Sequence, residues 1–410
     1  MGAVTSANTS SVPPPTPWGL VILLGSLTAM GPLAIDMYLS TLPAIGQSLV
    51  ATPAAVQATV SAFLAGMAIG QLVYGPWSDR IGRRVPVMLG VVIFVAASVA
   101  CAMATSVEQL LAARFVQALG ACAGAVVSRA VVRDTFDHTE TARTLSLMML
   151  IMGLAPILAP LLGAALLAFG GWRLNFWFMA AFGVVVGAVA VLRLKESRSE
   201  ATARQAASEN PFQSYAALLR QPRLLGYALA GALNGATLFT YIATSPGLIM
   251  GTYGYSAAVF PWIFGFNALG IVGSGQINRM ILRRVHPDRV LSLASRVAVG
   301  LGGALMIAAY TGVGERWTVL PLVFLIFCSL GFMQGNTTAG ALNVDPLRAG
   351  SISALMGTVG FAAGALASTL AAVLHDGSAR PMALVMVVAL AGSAVALRFL
   401  ALRQQSSPSA

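Results

Sequence analysis

Long apolar runs recur along this chain and constrain it more than any other feature. A membrane-spanning helix needs about 20 consecutive, mostly apolar residues. Such runs fall at 18–43, 54–76, 86–105, 107–130, 143–169 and 172–194, and again at 222–246, 256–279, 289–312, 317–341, 350–374 and 380–402. The expectation is twelve helices, six before and six after a polar stretch. Only 9% of the 410 residues are charged, where a soluble protein carries roughly 25%. That composition excludes a soluble multidomain protein of the same length.

The net charge of +11 invites a nucleic-acid reading, but the distribution of the charge answers it. With the N-terminus placed in the cytoplasm, the loops that fall inside hold nearly all the basic residues. They run from Arg80, Arg83 and Arg84 through Arg129, Arg133 and Arg143 to Arg279, Arg283, Arg284 and Arg348. The loops that fall outside hold only Arg173, Arg316 and Arg380. This is the positive-inside pattern of a membrane protein with both termini cytoplasmic, and nucleic acid is not an expected partner.

Residues 1–17 carry no Lys or Arg and end in Pro13-Pro14-Pro15-Thr16-Pro17. They lack the basic start of a secretory signal and read as a disordered tail. The expected organisation continues with a first six-helix bundle over 18–194, a cytoplasmic linker over 195–221, a second bundle over 222–402 and a short tail over 403–410. Two related halves around a polar linker is a transporter arrangement. A shift of 200 positions superposes Gly70 on Gly270, Gly75 on Gly275, Ile81 on Ile281, Arg83 on Arg283 and Arg84 on Arg284. The acidic member of that set is lost, since Asp79 falls on Arg279.

Catalytic chemistry finds no footing. Cys101, Cys122 and Cys328 lie in apolar stretches with no metal or pairing spacing. His138, His286 and His375 are far apart and in expected loops, and neither a zinc-protease nor a nucleophile-elbow pattern occurs. Lys195 is the sole lysine and stands in no Gly-rich loop, so a P-loop is absent. No cofactor is expected. No channel-filter signature is present, and a two-half chain favours alternating access over a pore.

Four motifs carry a family resemblance. After the second run the chain reads Gly75-Pro-Trp-Ser-Asp79-Arg80-Ile-Gly82-Arg83-Arg84. This resembles the loop signature of the major facilitator superfamily in full. The resemblance implies that Asp79 meets the positive N-terminal end of the eleventh helix, near Gly350 and Ser351, and gates the cytoplasmic side. Gly75 and Gly82 are expected at tight turns. In the fourth run, Arg114-Phe-Val-Gln117-Ala118-Leu-Gly120 is similar to a region of proton-driven drug antiporters, with Ala118 where a glycine is common. In the first run, Asp36-Met37-Tyr38-Leu39-Ser40 through Pro43 resembles the signature of the bicyclomycin- and chloramphenicol-resistance branch, with Ser40 in place of a proline. In the fifth run, Gly153, Pro156, Pro160 and Gly163 are similar to that branch's form of the antiporter motif.

A central arginine costs about 2.5–3.5 kcal/mol on insertion scales, so Arg114 requires a partner or a polar cavity. Asp36 lies seven residues before Pro43, and Arg114 lies seven after Val107. At 1.5 Å per residue both stand roughly 10 Å below the outer surface, and they are expected to face one cavity with Gln117. Candidate pocket residues are Tyr38, Phe63, Asn234, Phe239, Tyr241, Phe264, Asn267, Met333 and Asn336, because an adaptable site is mostly apolar with a few polar groups. The resemblance implies a monomer of the bacterial inner membrane that exchanges drugs or other small amphipathic molecules for protons, with Asp36 taking a proton or a cationic substrate in turn. Transport of a specific metabolite on the same fold is the alternative, because fold does not fix cargo.

Overall fold

The computed structural model describes residues 18–208 and 211–402. The expected tails at 1–17 and 403–410 lie outside the described residues. Every regular element among the described residues is helical. The long helices are α1 (Trp18–Leu39), α2 (Pro53–Ile81), α3 (Arg84–Met103), α4 (Val107–Thr135), α5 (His138–Gly170), α6 (Trp172–Arg193), α7 (Pro222–Pro246), α8 (Phe260–Ile281), α9 (Pro287–Thr311), α10 (Glu315–Leu342), α11 (Ala349–Val373) and α12 (Arg380–Ala396).

Their starts follow local chemistry. Thr52 precedes α2 and its Oγ1 accepts the Ala55 N–H at 3.2 Å, with Pro53 in the first helical position, where its missing donor costs nothing. Ser106 caps α4 by accepting from the Gln109 N–H at 3.3 Å. Gly82 ends α2 at φ +105° and Gly312 ends α9 at φ +72°, a region that glycine enters without steric cost.

Ten of these helices are long and apolar enough to cross a membrane. The other two, α7 and α8, stand where the seventh and eighth spans are expected but are less apolar. Their polarity is turned inward: Asn234, Thr237, Thr240, Ser245, Asn267, Ser274 and Asn278 are all buried. The α2 and α4 helices run about one turn past the expected apolar segments at the end where the arginines cluster, because Asp79, Arg80 and Arg133 continue helices that hydropathy alone would close. The first run stops sooner than expected, at Leu39, and a short helix Leu42–Ser48 follows. The linker, read as a polar loop, contains the helices Glu200–Ser208 and Pro211–Leu219.

The neighbour relations repeat between the two sets of six. α1 packs on α5, α2 on α4, α3 on α4 and α3 on α6. In the same pattern α7 packs on α11, α8 on α10, α9 on α10 and α9 on α12. Contact between the sets is made by α2 with α11 and by α5 with α8, a pair of pairs that exchanges under the same two-fold correspondence. Polar side chains fasten the first: Gln57 Nε2 donates to the Ser368 carbonyl at 3.2 Å, and the Ser61 and Ser368 hydroxyls are 2.8 Å apart.

Helices in lipid gain little from hydrophobic association and depend on close van der Waals packing. Gly163 of α5 is such a point. A Cβ there would lie 2.1 Å from the Met37 carbonyl oxygen of α1, whereas a Cβ at Gly153 would rest at an ordinary 3.5 Å from Val272 of α8. Gly163→Ala is therefore expected to lower the stability of the purified protein by about 1–3 kcal/mol, the usual cost of overpacking, and Gly153→Ala to leave it nearly unchanged. Thermal unfolding in detergent, followed by tryptophan fluorescence, checks both. Equal melting temperatures for the two variants would refute this account of the α1–α5 contact.

Candidate functional site

Arg114 is completely buried. One Nη donates to the Ala34 carbonyl of α1 at 2.8 Å and to Gln117 Oε1 at 2.7 Å. Gln117 in turn donates to Ser98 Oγ of α3 at 2.8 Å. The guanidinium carbon stands 4.3 Å from the Tyr38 ring centre, 4.4 Å from that of Phe63 and 5.9 Å from that of Phe176. Three aromatic faces therefore offset part of its desolvation, while Nε and the second Nη have no hydrogen-bond partner among the described residues. Tyr38 is itself held by the Thr59 hydroxyl at 2.5 Å.

Asp36 is 4% exposed. Its carboxylate makes no hydrogen bond or ion pair among the described residues. The sequence placed Asp36 and Arg114 at one depth and facing one cavity; among the described residues they form no ion pair. Tyr38 turns toward the arginine, and two residues along a helix rotate the side chain by about 200°. Asp36 therefore leaves α1 on the other side. The α5 motif lies close by: Gly163 meets the Met37 carbonyl, and the Pro160 carbonyl accepts from Ser40 Oγ at 3.4 Å. Pro156 and Pro160 both stand inside α5, and Gly153 faces α8.

The remaining expected pocket residues fall into separate groups. Tyr38 and Phe63 belong to the Arg114 cage. Tyr241 stacks on Phe264, packs edge-on to Phe327 and accepts from Asn267 Nδ2 at 2.6 Å. Asn336 and Asn278 exchange amide hydrogen bonds at 3.2 and 3.4 Å. Asn234 accepts from Ser393 Oγ at 3.0 Å. Phe239 packs on Phe361 of α11, and Met333 is fully buried in the core. These residues form a polar and aromatic interior distributed over the second half, not the wall of one open pocket. A cavity of about 530 Å³ lies instead at the end away from the arginine cluster, lined by Gln47, Gln57, Thr244, Thr252 and His375 among others.

At the basic end the Asp79 motif is tied into a clasp. Arg83 is buried, pairs with Asp79, and donates to Asp134 Oδ2 of α4 at 2.8 Å and to Ser78 Oγ at 2.8 Å. Glu196, just after α6, accepts from the backbone N–H of Arg83 at 2.9 Å and of Arg84 at 3.2 Å, and so caps the start of α3. Arg198 donates to the carbonyls of Asp79 and Arg80 at the end of α2. Arg80 donates to the Ala206 carbonyl of the linker at 3.3 Å and Arg84 to the Val191 carbonyl at 3.0 Å. The opposite dipole ends of α2 and α3 thus each receive the complementary charge. Gly82 is required here twice over, by φ +105° and by Glu196 Oε2, which a Cβ would approach to 2.5 Å. Gly75 does not form the expected turn; it is inside α2 with open space around it. Asp79 shares a cavity of about 280 Å³ with Gly350 and Ser351 at the start of α11, and its carboxylate pairs with Arg83 of its own half.

Glu196 and Arg198 were not singled out as site residues by the sequence. Burial raises the Glu196 carboxyl, but backbone N–H donors from Arg83, Arg198, Arg84 and Ser197 outweigh it and hold the group below the usual carboxylate range. A carboxyl lowered on folding stabilises the fold above its unfolded value, near 4.3, and loses that effect as pH falls through the lower folded value. Glu196→Gln should therefore melt lower than wild type at pH 7, by about 1 kcal/mol as for other lost caps. The gap should narrow as pH drops below 4. A gap independent of pH over that range would remove the capping role.

Comparison with known proteins gives the same frame. Residues 24–368 match the family model described as the Major Facilitator Superfamily. The chain is 34% identical over 372 residues, covering 90% of it and 92% of the relative, to an uncharacterized MFS-type transporter, YdgK, of Bacillus subtilis. It is 27% identical to a bicyclomycin resistance protein homolog of Haemophilus influenzae (94% and 97% covered) and 32% identical to the multidrug resistance protein MdtL of Escherichia coli (86% and 88% covered). In fold it is similar to the crystal structure of a D-xylose–proton symporter, with TM-score 0.73 at 13% identity over 93% of this chain and 97% of that one. A bacterial homolog of the human lysosomal transporter Spinster gives 0.72 at 15% over 94% and 96%. The internal two-fold packing, the complete Asp79 motif and the family match over most of its length agree: this chain belongs to the Major Facilitator Superfamily and is a multi-pass membrane transporter of small molecules, not an enzyme.

Proposed function

We propose that the protein exports drugs or other small amphipathic molecules across the bacterial inner membrane in exchange for protons, acting as a monomer of twelve spans with both termini and the basic end in the cytoplasm. The observation that carries this reading is Asp36, a buried carboxyl without a partner in a helix that lies between Arg114 and the α5 motif. An uncompensated charge in apolar surroundings costs several kcal/mol. Asp36 is therefore a position where a proton, or a cationic substrate in its place, relieves a deficit that the protein leaves open. Binding of one displaces the other, which is the minimum that exchange requires.

Support for export comes from the similarity to the bicyclomycin resistance homolog and to MdtL over nearly the full chain and from the branch motifs at Asp36, Arg114 and Gly163. The opposing cavities at the two ends suit alternating access. The α2–α11 contact through Gln57, Ser61 and Ser368 separates the outer cavity from the interior. The Asp79–Arg83–Asp134–Glu196 clasp holds the cytoplasmic ends of α2, α3 and α4 as one body. The membrane potential contributes about 2.3 kcal/mol per charge per 100 mV to proton-driven export.

Inverted membrane vesicles energised by respiration, with a fluorescent reporter of internal pH, test the reading. Wild type should dissipate the gradient on addition of at least one lipophilic cation or antibiotic from a panel, and Asp36→Asn should cut that response about tenfold or more. No response in wild type to any compound would move specific metabolite transport to first place. Equal responses in wild type and variant would dismiss Asp36 as the coupling group.

A further inference from the structure

The basic end contains chemistry that proton exchange does not use. Arg129 and Arg133 lie four residues apart on α4, which puts them on one helix face. Both line the cavity of about 280 Å³ beside Asp79. Neither guanidinium takes part in an ion pair among the described residues. Arg129 donates Nε to the Ala125 carbonyl of its own helix at 3.1 Å, which leaves its Nη groups for the cavity.

The other walls add donors from elsewhere in the fold. α11 begins there, with Gly350 and Ser351 on the wall, and no side chain caps its first turn. The leading N–H groups of a helix carry partial positive charge; that of Ala349 is taken by the Pro346 carbonyl, and those of Gly350 and Ser351 follow it. From the linker comes Tyr215, which lines the cavity and is only 8% exposed. Its hydroxyl has no hydrogen-bond partner among the described residues. Burial first, and then the Asp79 carboxylate, raise its pKa, so it remains an O–H donor. The acidic group on this cavity, Asp79, is already paired with Arg83.

We propose that this cavity binds a phosphate group, carried by an anionic lipid headgroup or by a free phosphate, between Arg129 and Arg133 on one side and the start of α11 with the Tyr215 hydroxyl on the other. Guanidinium forks and helix N-termini are the two protein groups best matched to phosphate oxygens, and both line this cavity. Because the arginines belong to the first half and α11 to the second, a bound phosphate ties the halves together at the end where the Asp79 motif sits.

The test uses the full chain in detergent and in lipid nanodiscs. Inorganic phosphate at constant ionic strength should raise the melting temperature saturably. In the double variant Arg129→Gln/Arg133→Gln the phosphate concentration for half the effect should rise roughly tenfold or more, since one hydrogen bond to a charged group is worth about a factor of ten. Tyr215→Phe should raise it a few-fold. Arg296→Gln, an exposed arginine on α9, should leave it unchanged. If free phosphate is inert but phosphatidylglycerol nanodiscs stabilise wild type over phosphatidylcholine, and the double variant abolishes the difference, the phosphate is a lipid headgroup and the site stands. Should the double variant fail to fold, Arg133→Gln alone carries the same comparison. Absence of any phosphate or phosphatidylglycerol effect overturns the proposal, as does an equal response in Arg296→Gln and the cavity variants.

Discussion

An apolar bilayer supplies no water, so every polar group inside the spans must be satisfied by the protein or left wanting. Arg114 and Asp36 are the two outcomes of that constraint, on neighbouring helices. Arg114 is surrounded by a carbonyl, an amide and three aromatic rings drawn from α1, α2, α4 and α6. It fixes how those helices meet, and its bond to the Ala34 carbonyl locks the rotation of α1. That rotation then decides where Asp36 points. A cation buried for structure thereby sets the direction of the carboxyl on which the proposed function rests.

The second half solves the same problem without charge. Its buried polar residues are amides and hydroxyls: Asn267 with Tyr241, Asn278 with Asn336, and Asn234 with Ser393. Neutral pairs of this kind cost less to bury than ions and can exchange partners without moving a proton. The two halves repeat each other in packing but not in chemistry, and under the proposed function titration belongs to the first half while the second keeps its buried polar groups neutral and paired.

Much of this was legible in the sequence, and the limits have physical causes. The apolar runs located the helices to within about a turn, because the bilayer imposes length and apolarity together. Asp36 and Arg114 stood out because charges in such runs are rare. Depth along a helix can be counted from its end, so their shared level was readable. Their relative rotation was not, because it depends on which neighbour each face meets. The pocket residues failed as a set for a similar reason: Tyr38 and Phe63 serve Arg114, while Tyr241, Asn267 and Asn336 satisfy one another. The α7 and α8 helices fall short of ordinary span hydropathy because their asparagines and threonines face inward, a distinction that composition cannot draw.

Glu196 is the instructive omission. In the sequence it stands in a mixed-charge linker, 113 residues from its backbone partner Arg83, and nothing local marks it. Gly82 was legible as a turn, yet half of its requirement comes from the Glu196 carboxylate pressed against it. The Asp79 motif is thus one side of a joint whose other side is the end of α6. Glu196 caps the beginning of α3, Arg198 caps the end of α2, and Arg83 joins both to Asp134 at the end of α4. Four helix ends meet through complementary charge, at a level where water can still screen an exposed pair but not the buried Arg83. A joint of this kind makes the ends of α2, α3, α4 and α6 move as one body, and rigid-body motion of one half against the other is what the proposed alternating access requires.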